Sequence, residues 1–232
     1  MADTLRSLDE IQTLFANNSQ GLITPQKLRD FVASTHLTSF KKVLPVDSSF
    51  SWVNQGAASI STNPDGSLVL RNETNNSNSY IANLRVKSAP SAPCTLTVSC
   101  MPIMHPSQYS MSGLALRESS SGKLLTFGFR NDSSAFNVGW GVYWTDATTY
   151  YGGGTEATPM PWLLCAPTGI LMRINDDNTN INFALSQDGV NWMTVHSVLR
   201  TDFWDTMYDQ LGFYVNPYNQ DSGIIINSWS ET

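Results

Sequence analysis

Ten segments of the chain carry β-branched and aromatic residues with an alternating pattern, and no amphipathic helix separates them. They are "SLVLR", "YIANLRVK", "CTLTVSC", "LLTFGFR", "FNVGWGVYW", "GILMRI", "NINFALS", "NWMTVHSV", "LGFYV" and "GIIINSW". In strict alternation Leu125, Phe127 and Phe129 share one strand face, as do Ile181, Phe183 and Leu185. Turn chemistry separates the segments: Asn63-Pro64-Asp65-Gly66, Asn175-Asp176-Asp177-Asn178 and Gln187-Asp188-Gly189 all fit tight reversals. About a dozen short strands without crossover helices predict a mainly β chain, a β-sandwich.

Residues 1–42 read differently. Ser7-Leu8-Asp9-Glu10 is a capping box, and Leu8, Ile11, Leu14 and Phe15 follow at helical spacing. Asn17-Asn18 and Gly21 end that helix, and Thr24-Pro25 opens a second, whose stripe is Leu28, Phe31 and Val32. Two short helices with one apolar stripe each cannot enclose a core, so they must dock on something. The expected division is therefore a helical attachment or oligomerisation segment at 1–42 and a β-sandwich domain at 43–232. Gly21 and Ile23 also fit positions six and eight of an EF-hand loop. Positions one and twelve would then be Ala16 and Lys27, where calcium needs carboxylates, so calcium binding is excluded.

With 41% hydrophobic and 14% charged residues the chain is globular. No apolar run is long enough to span a membrane, and the N-terminus lacks the pattern of a secretory signal. Beyond Arg130 the basic residues are Arg173 and Arg200, against eleven acidic ones. That balance excludes a nucleic-acid partner and leaves no basic groove for an acidic polysaccharide. Cys94 and Cys100 are on one strand face roughly 20 Å apart, too far for a disulfide. With Cys165 they read as three reduced thiols, which implies synthesis in a reducing cytoplasm. No CxxC pair or other metal-ligand spacing occurs, and no cofactor is expected.

Catalytic signals are missing. Glu73, Glu118 and Glu156 stand alone among Ser, Thr and Asn, without the alternating acids that a glycosidase strand offers. His36 follows the second helix, His105 lies in a Pro-flanked loop, and His196 reads as a sheet residue. No nucleophile elbow, HExxH or phosphate loop is present. The aromatic crowding of residues 139–162 is what remains. In strand register Phe136, Val138, Trp140, Val142 and Trp144 share a face, which makes Trp140 and Trp144 core residues. Tyr143 then points the other way beside Gly139 and Gly141. Tyr143, Tyr150, Tyr151 and Trp162, with Asp146 and Glu156 as polar partners, form the first candidate ligand surface. Tyr214 and Tyr218, around "VNPYNQD", form a second. Aromatics of this kind also serve subunit contacts.

Two resemblances extend this reading. Residues 168–192, with Ser186, Asp188, Gly189 and Trp192 in a Ser-x-Asp-Gly-x-x-Trp hairpin, resemble the concanavalin-like (laminin-G-like) jelly-roll superfamily. That resemblance covers about residues 50–230 and implies a jelly-roll sandwich of a kind that binds sugars or proteins, with Trp192 packed over its turn. Residues 14–34, through Asn18, Gly21, Ile23, Thr24, Leu28, Arg29, Asp30, Phe31 and Val32, resemble a leader of bacteriophage virion proteins. It implies a tail-fibre or receptor-binding protein, mounted on the virion through its helices, trimeric, engaging host-surface glycans. A capsid-decoration or head-fibre protein with a purely structural jelly roll, and a cellular lectin-like module, are the alternatives.

Overall fold

The computed structural model describes residues 43–74, 79–104, 109–131, 136–152, 169–218 and 221–232. The two helices expected in 1–42, with His36, and also His105, Glu156, Trp162 and Cys165, lie outside the described residues, as do the side chains of Phe136 and Trp140.

A short 3-10 turn at Asp47–Ser49 leads into β1 (Ser51–Val53), β2 (Ser59–Thr62), β3 (Leu68–Asn72), β4 (Asn83–Ser88) and β5 (Cys94–Met104). There follow β6 (Met111–Arg117), β7 (Leu124–Asn131), β8 (Phe136–Asp146), β9 (Thr149–Tyr150) and β10 (Ile170–Asp176). The last four are β11 (Asn180–Ser186), β12 (Met193–Leu199), β13 (Gln210–Asn216) and β14 (Ser222–Glu231). Sheet A has the order β1-β4-β13-β6-β7-β8-β9 and sheet B the order β12-β11-β10-β5-β14-β3-β2. Each sheet has seven strands, and the pairings are antiparallel. The expected mainly β sandwich is therefore found. β1, β2, β6 and β9 are the strands that alternation alone did not mark; β6 has seven residues, and each of the other three is four residues or shorter.

Period-two burial builds the core between the sheets. Leu125, Phe127 and Phe129 of β7 face Ile181, Phe183 and Leu185 of β11, with Phe127 and Phe183 centroids 5.0 Å apart. Leu96, Val98 and Cys100 of β5 point into the same layer. Cys94 and Cys100 are buried free thiols, and burial raises the pKa of both.

Sheet A is also apolar on its outer face, where Leu84, Val86, Met111, Ala115, Leu124, Val142, Trp144 and Tyr214 form a second buried cluster. A bulge in β8 sorts residues between the two clusters. The register slips between Gly128 and Phe129, so that Phe129 pairs with Val138 while Gly128 pairs with Trp140. Gly139 is the extra residue, at φ +80°, a conformation that a side chain would strain. Val138 consequently enters the inter-sheet core, and Val142 and Trp144 face outward into the second cluster. Strict alternation along 136–144 predicted one common face, and Gly139 is the physical reason it fails.

Gly113 and Gly128 oppose each other across β6 and β7. A Cβ on Gly128 would lie 2.2 Å from the Ser112 carbonyl oxygen, and one on Gly113 would lie 2.3 Å from that of Phe127. Any side chain here forces the strands apart. Gly128→Ala should lower unfolding free energy by about 2–3 kcal/mol in urea denaturation; an unchanged midpoint would mean that the close approach is not needed.

Candidate functional site

The residues chosen from sequence do not form one surface. Tyr143 pairs with Leu125 on the inner face of sheet A, is 9% exposed, and packs its ring 4.5 Å from Phe203. Burial, then the charge of Asp202, raises its pKa. It is a core residue, and its expected openness to a ligand is corrected: Gly141 opposite Phe127 leaves room for packing, not for solvent. Tyr151 is 68% exposed and lies 6.4 Å from Phe203, on that same side. Asp146 accepts hydrogen bonds from the Thr148 amide and hydroxyl, both 2.7 Å, within the β8–β9 turn. Those bonds lower its pKa. Its carboxylate shapes a hairpin.

Tyr150 turns to the other side and meets the second candidate loop. Its ring stacks on Tyr80 at 4.4 Å and 17°, and Tyr80 meets Tyr218 at 4.6 Å. Tyr218 in turn contacts Tyr109 edge-on at 5.4 Å, and the Arg130 guanidinium carbon sits 5.4 Å from the Tyr109 ring centroid. Four tyrosines from four separate segments thus converge at one end of the outer face of sheet A. All four are half-buried. Tyr214, expected as a ligand residue, is 1% exposed and pairs with Leu84 and Gly113; with Trp144 it forms the floor under the cluster. Its expected contact with a ligand is therefore corrected to a supporting one.

The floor is held firmly. Trp144 is 0% exposed, touches Tyr150 edge-on at 5.4 Å, and donates its indole N–H to Thr126 Oγ1 at 3.0 Å. Asn216, fully buried, accepts from the Ile81 amide at 3.0 Å and donates to the Tyr109 carbonyl at 3.4 Å. It ties together the segments that carry Tyr80, Tyr109 and Tyr218. Tyr109 and Tyr218 have φ of 54° and 47°. This left-handed backbone is unusual for a bulky residue and costs on the order of 1 kcal/mol each. The fold holds two adjacent tyrosines in strained positions, where their rings face each other.

Burial is the main influence that pushes the Tyr80 phenol up to about 12, with the Arg130 charge opposing. The hydroxyl therefore stays protonated and able to donate at any physiological pH. Flat, half-exposed rings with protonated hydroxyls, next to one guanidinium, can stack on a planar or pyranose face and hydrogen-bond at its edge. Tyr80 and Tyr109 were missed in the sequence because each stands alone between Ser, Asn and Pro-rich residues, without aromatic neighbours in the chain. Only the fold gathers them.

Among the described residues, the candidate acids and the one candidate base are held by local contacts. The Glu118 carboxylate, 1% exposed, accepts bonds from Ser120, Ser121, Thr206 and the Asp205 and Thr206 amides. Glu73 pairs with Arg71 at 3.0 Å. His196 lies flat on Phe183 at 6.0 Å, and burial lowers its pKa. Among the described residues no group of three His, Cys, Asp or Glu converges to hold a metal, and no helix is long and apolar enough to cross a membrane.

Comparison with known proteins places the fold. No family model matches the chain, and no curated protein matches it. Among solved structures, a functionally unknown protein from Saccharomyces cerevisiae superposes with a TM-score of 0.57 at 13% identity, covering 80% of this chain and 96% of that one. The GH43 BlXynB protein of Bacillus licheniformis superposes at 0.50 and 11% identity, over 72% of this chain and 32% of that one. Lectin I from Ulex europaeus, in complex with the methyl glycoside of alpha-L-fucose, aligns at 0.48 and 9% identity. For the first two, at 13% and 11% identity, the likeness is one of fold alone.

Proposed function

We propose that the chain is a non-catalytic, carbohydrate-binding β-sandwich module and that Tyr80, Tyr109, Tyr150 and Tyr218 form its saccharide surface. The observation that carries this reading is the convergence of the four half-buried tyrosines, two of them in strained backbone, over the rigid floor of Trp144 and Tyr214. A merely structural cluster gives no reason for holding two bulky residues at positive φ. The consumption of Glu118 and Glu73 by local partners supports binding over hydrolysis.

A glycan array, followed by titration of the hits, tests the proposal. Tyr80→Ala and Tyr218→Ala should each weaken binding about tenfold, the loss of one stacking contact of about 1–1.5 kcal/mol. Tyr151→Ala, on the opposite side of the strand, should leave affinity unchanged. Absence of any saccharide ligand would overturn the proposal.

The narrower reading, in which residues 1–42 mount the module on a phage particle, as a trimeric tail-fibre or receptor-binding protein or as a capsid decoration, draws its support from the leader residues alone. Mass spectrometry of purified particles separates it from a cellular lectin-like module.

A further inference from the structure

Two rings of the tyrosine cluster are placed for a chemistry that sugar binding does not use. Tyr80 and Tyr150 stack with centroids 4.4 Å apart and planes 17° from parallel. Among the described residues this is the closest and least tilted tyrosine pair; Tyr80 meets Tyr218 at 52°, and Tyr109 meets Tyr218 at 68°. In so close a stack the ring carbons of one phenol lie against those of the other, whereas an edge-on pair offers only the rim of one ring.

The surroundings hold this pair together. Tyr150 ends the two-residue β9, and Tyr80 lies ahead of β4, far away in sequence. The Ala82 amide donates to the Ala147 carbonyl at 2.8 Å, which ties the two segments beside the stack. Ala147 packs against the same outer cluster. Trp144 lies edge-on to both rings, 6.5 Å from Tyr80 and 5.4 Å from Tyr150. An electron lost from its indole is therefore replaced from either phenol. The other tyrosines are paired differently: Tyr143 and Tyr151 pack near Phe203, and Tyr208 near Trp204. Those neighbours carry no phenol with which to couple. Both stacked rings are half-buried; electron transfer needs proximity and not insertion of the oxidant between them.

We propose that Tyr80 and Tyr150 form a site of oxidative modification, at which a peroxide converts the stack into an intrachain dityrosine cross-link. Each phenol gives up one electron and one proton. The two tyrosyl radicals then pair, forming one carbon–carbon bond between carbons ortho to the hydroxyls. The hydrogens on those carbons move to the oxygens, which restores both phenols. Hydrogen peroxide takes the two electrons and two protons and leaves as two waters, so the protein loses two hydrogens in all. Because the rings are already in contact, coupling is a unimolecular step that outruns encounters between molecules in dilute solution. The bond staples β9, at one edge of sheet A, to the segment ahead of β4, next to the other edge, and restrains the unfolded chain. The site stands whether or not the cluster binds sugar.

The test treats the full chain, in dilute solution, with hydrogen peroxide and a catalytic amount of haem peroxidase. Dityrosine fluorescence and the masses of digested peptides are the readouts. The expected product is a monomer two hydrogens lighter in which the peptides of Tyr80 and Tyr150 are joined, and it should melt about 10 °C higher. Tyr80→Phe and Tyr150→Phe, which keep the stacked rings, should each lower the intrachain product at least tenfold. Tyr143→Phe should leave it unchanged, and Tyr151→Phe should suppress only cross-links between molecules. Thermal melting of each untreated variant establishes that the fold persists. Oxidation of the exposed Tyr151 without any intrachain link would overturn the site, as would a link that survives in both Tyr80→Phe and Tyr150→Phe. Absence of a saccharide ligand bears on the binding surface alone and leaves this result unaffected.

Discussion

Trp144→Ala should lower unfolding free energy by about 4 kcal/mol and the melting temperature by on the order of 10 °C. The side chain is fully buried and touches Tyr80, Tyr150 and Tyr214. Its removal leaves a large cavity below the tyrosine cluster. It also strips Thr126 Oγ1 of the indole donor. Trp144→Phe keeps most of the volume and should cost less, on the order of 1–2 kcal/mol, including the hydrogen bond. The alanine variant should lose saccharide affinity too, because Tyr150 and Tyr80 would no longer rest on a fixed plane. Urea denaturation monitored by circular dichroism checks the first effect. A loss below about 1 kcal/mol would show that the outer cluster is not a true second core.

Glu118→Gln should destabilise the protein by about 3 kcal/mol, out of proportion to a single polar substitution. Glu118 directly follows β6 and grips the 203–206 segment through the Asp205 and Thr206 amides and the Thr206 hydroxyl. Burial alone would raise its pKa. Hydrogen bonds from Ser121, Thr206 and the two amides outweigh it and lower the value from 4.5 to about 2. The folded value lies below the unfolded one, so the stabilisation is complete above about pH 4.5 and fades as pH falls toward 2. The wild type should therefore show an acid limb of stability across that window, measured by chemical denaturation at successive pH values. The glutamine variant should flatten its share of that limb. An unaltered limb would place the acid sensitivity in other carboxylates.

Sequence alone revealed the sandwich because strand alternation is a local property: Leu125-Phe127-Phe129 and Ile181-Phe183-Leu185 are written in the chain and appear in the core unchanged. The three predicted reversals are also local, fixed by Asx chemistry such as Asp177 accepting from the Thr179 and Asn180 amides. What failed was non-local or depended on one residue. Gly139 inserts a single bulge, and that shift exchanges the faces of Val138 and Val142 relative to strict alternation. Tyr143 was misjudged because openness was inferred from glycine neighbours, whereas Phe203, sixty residues later, fills the space. The candidate site was half legible. Tyr150 and Tyr218 were chosen from two different loops; that they belong to one cluster with Tyr80 and Tyr109 follows from strand order β4-β13-β6-β7-β8-β9, which no local pattern encodes.

The central claim is that the tyrosine cluster of sheet A is the saccharide surface. It is tested most directly by nuclear magnetic resonance of the protein labelled at tyrosine ring carbons, titrated with a saccharide identified on the array. The account predicts saturable shifts confined to Tyr80, Tyr109, Tyr150 and Tyr218, with Tyr143 and Tyr208 unmoved. Saturable binding that leaves those four rings unshifted would contradict it.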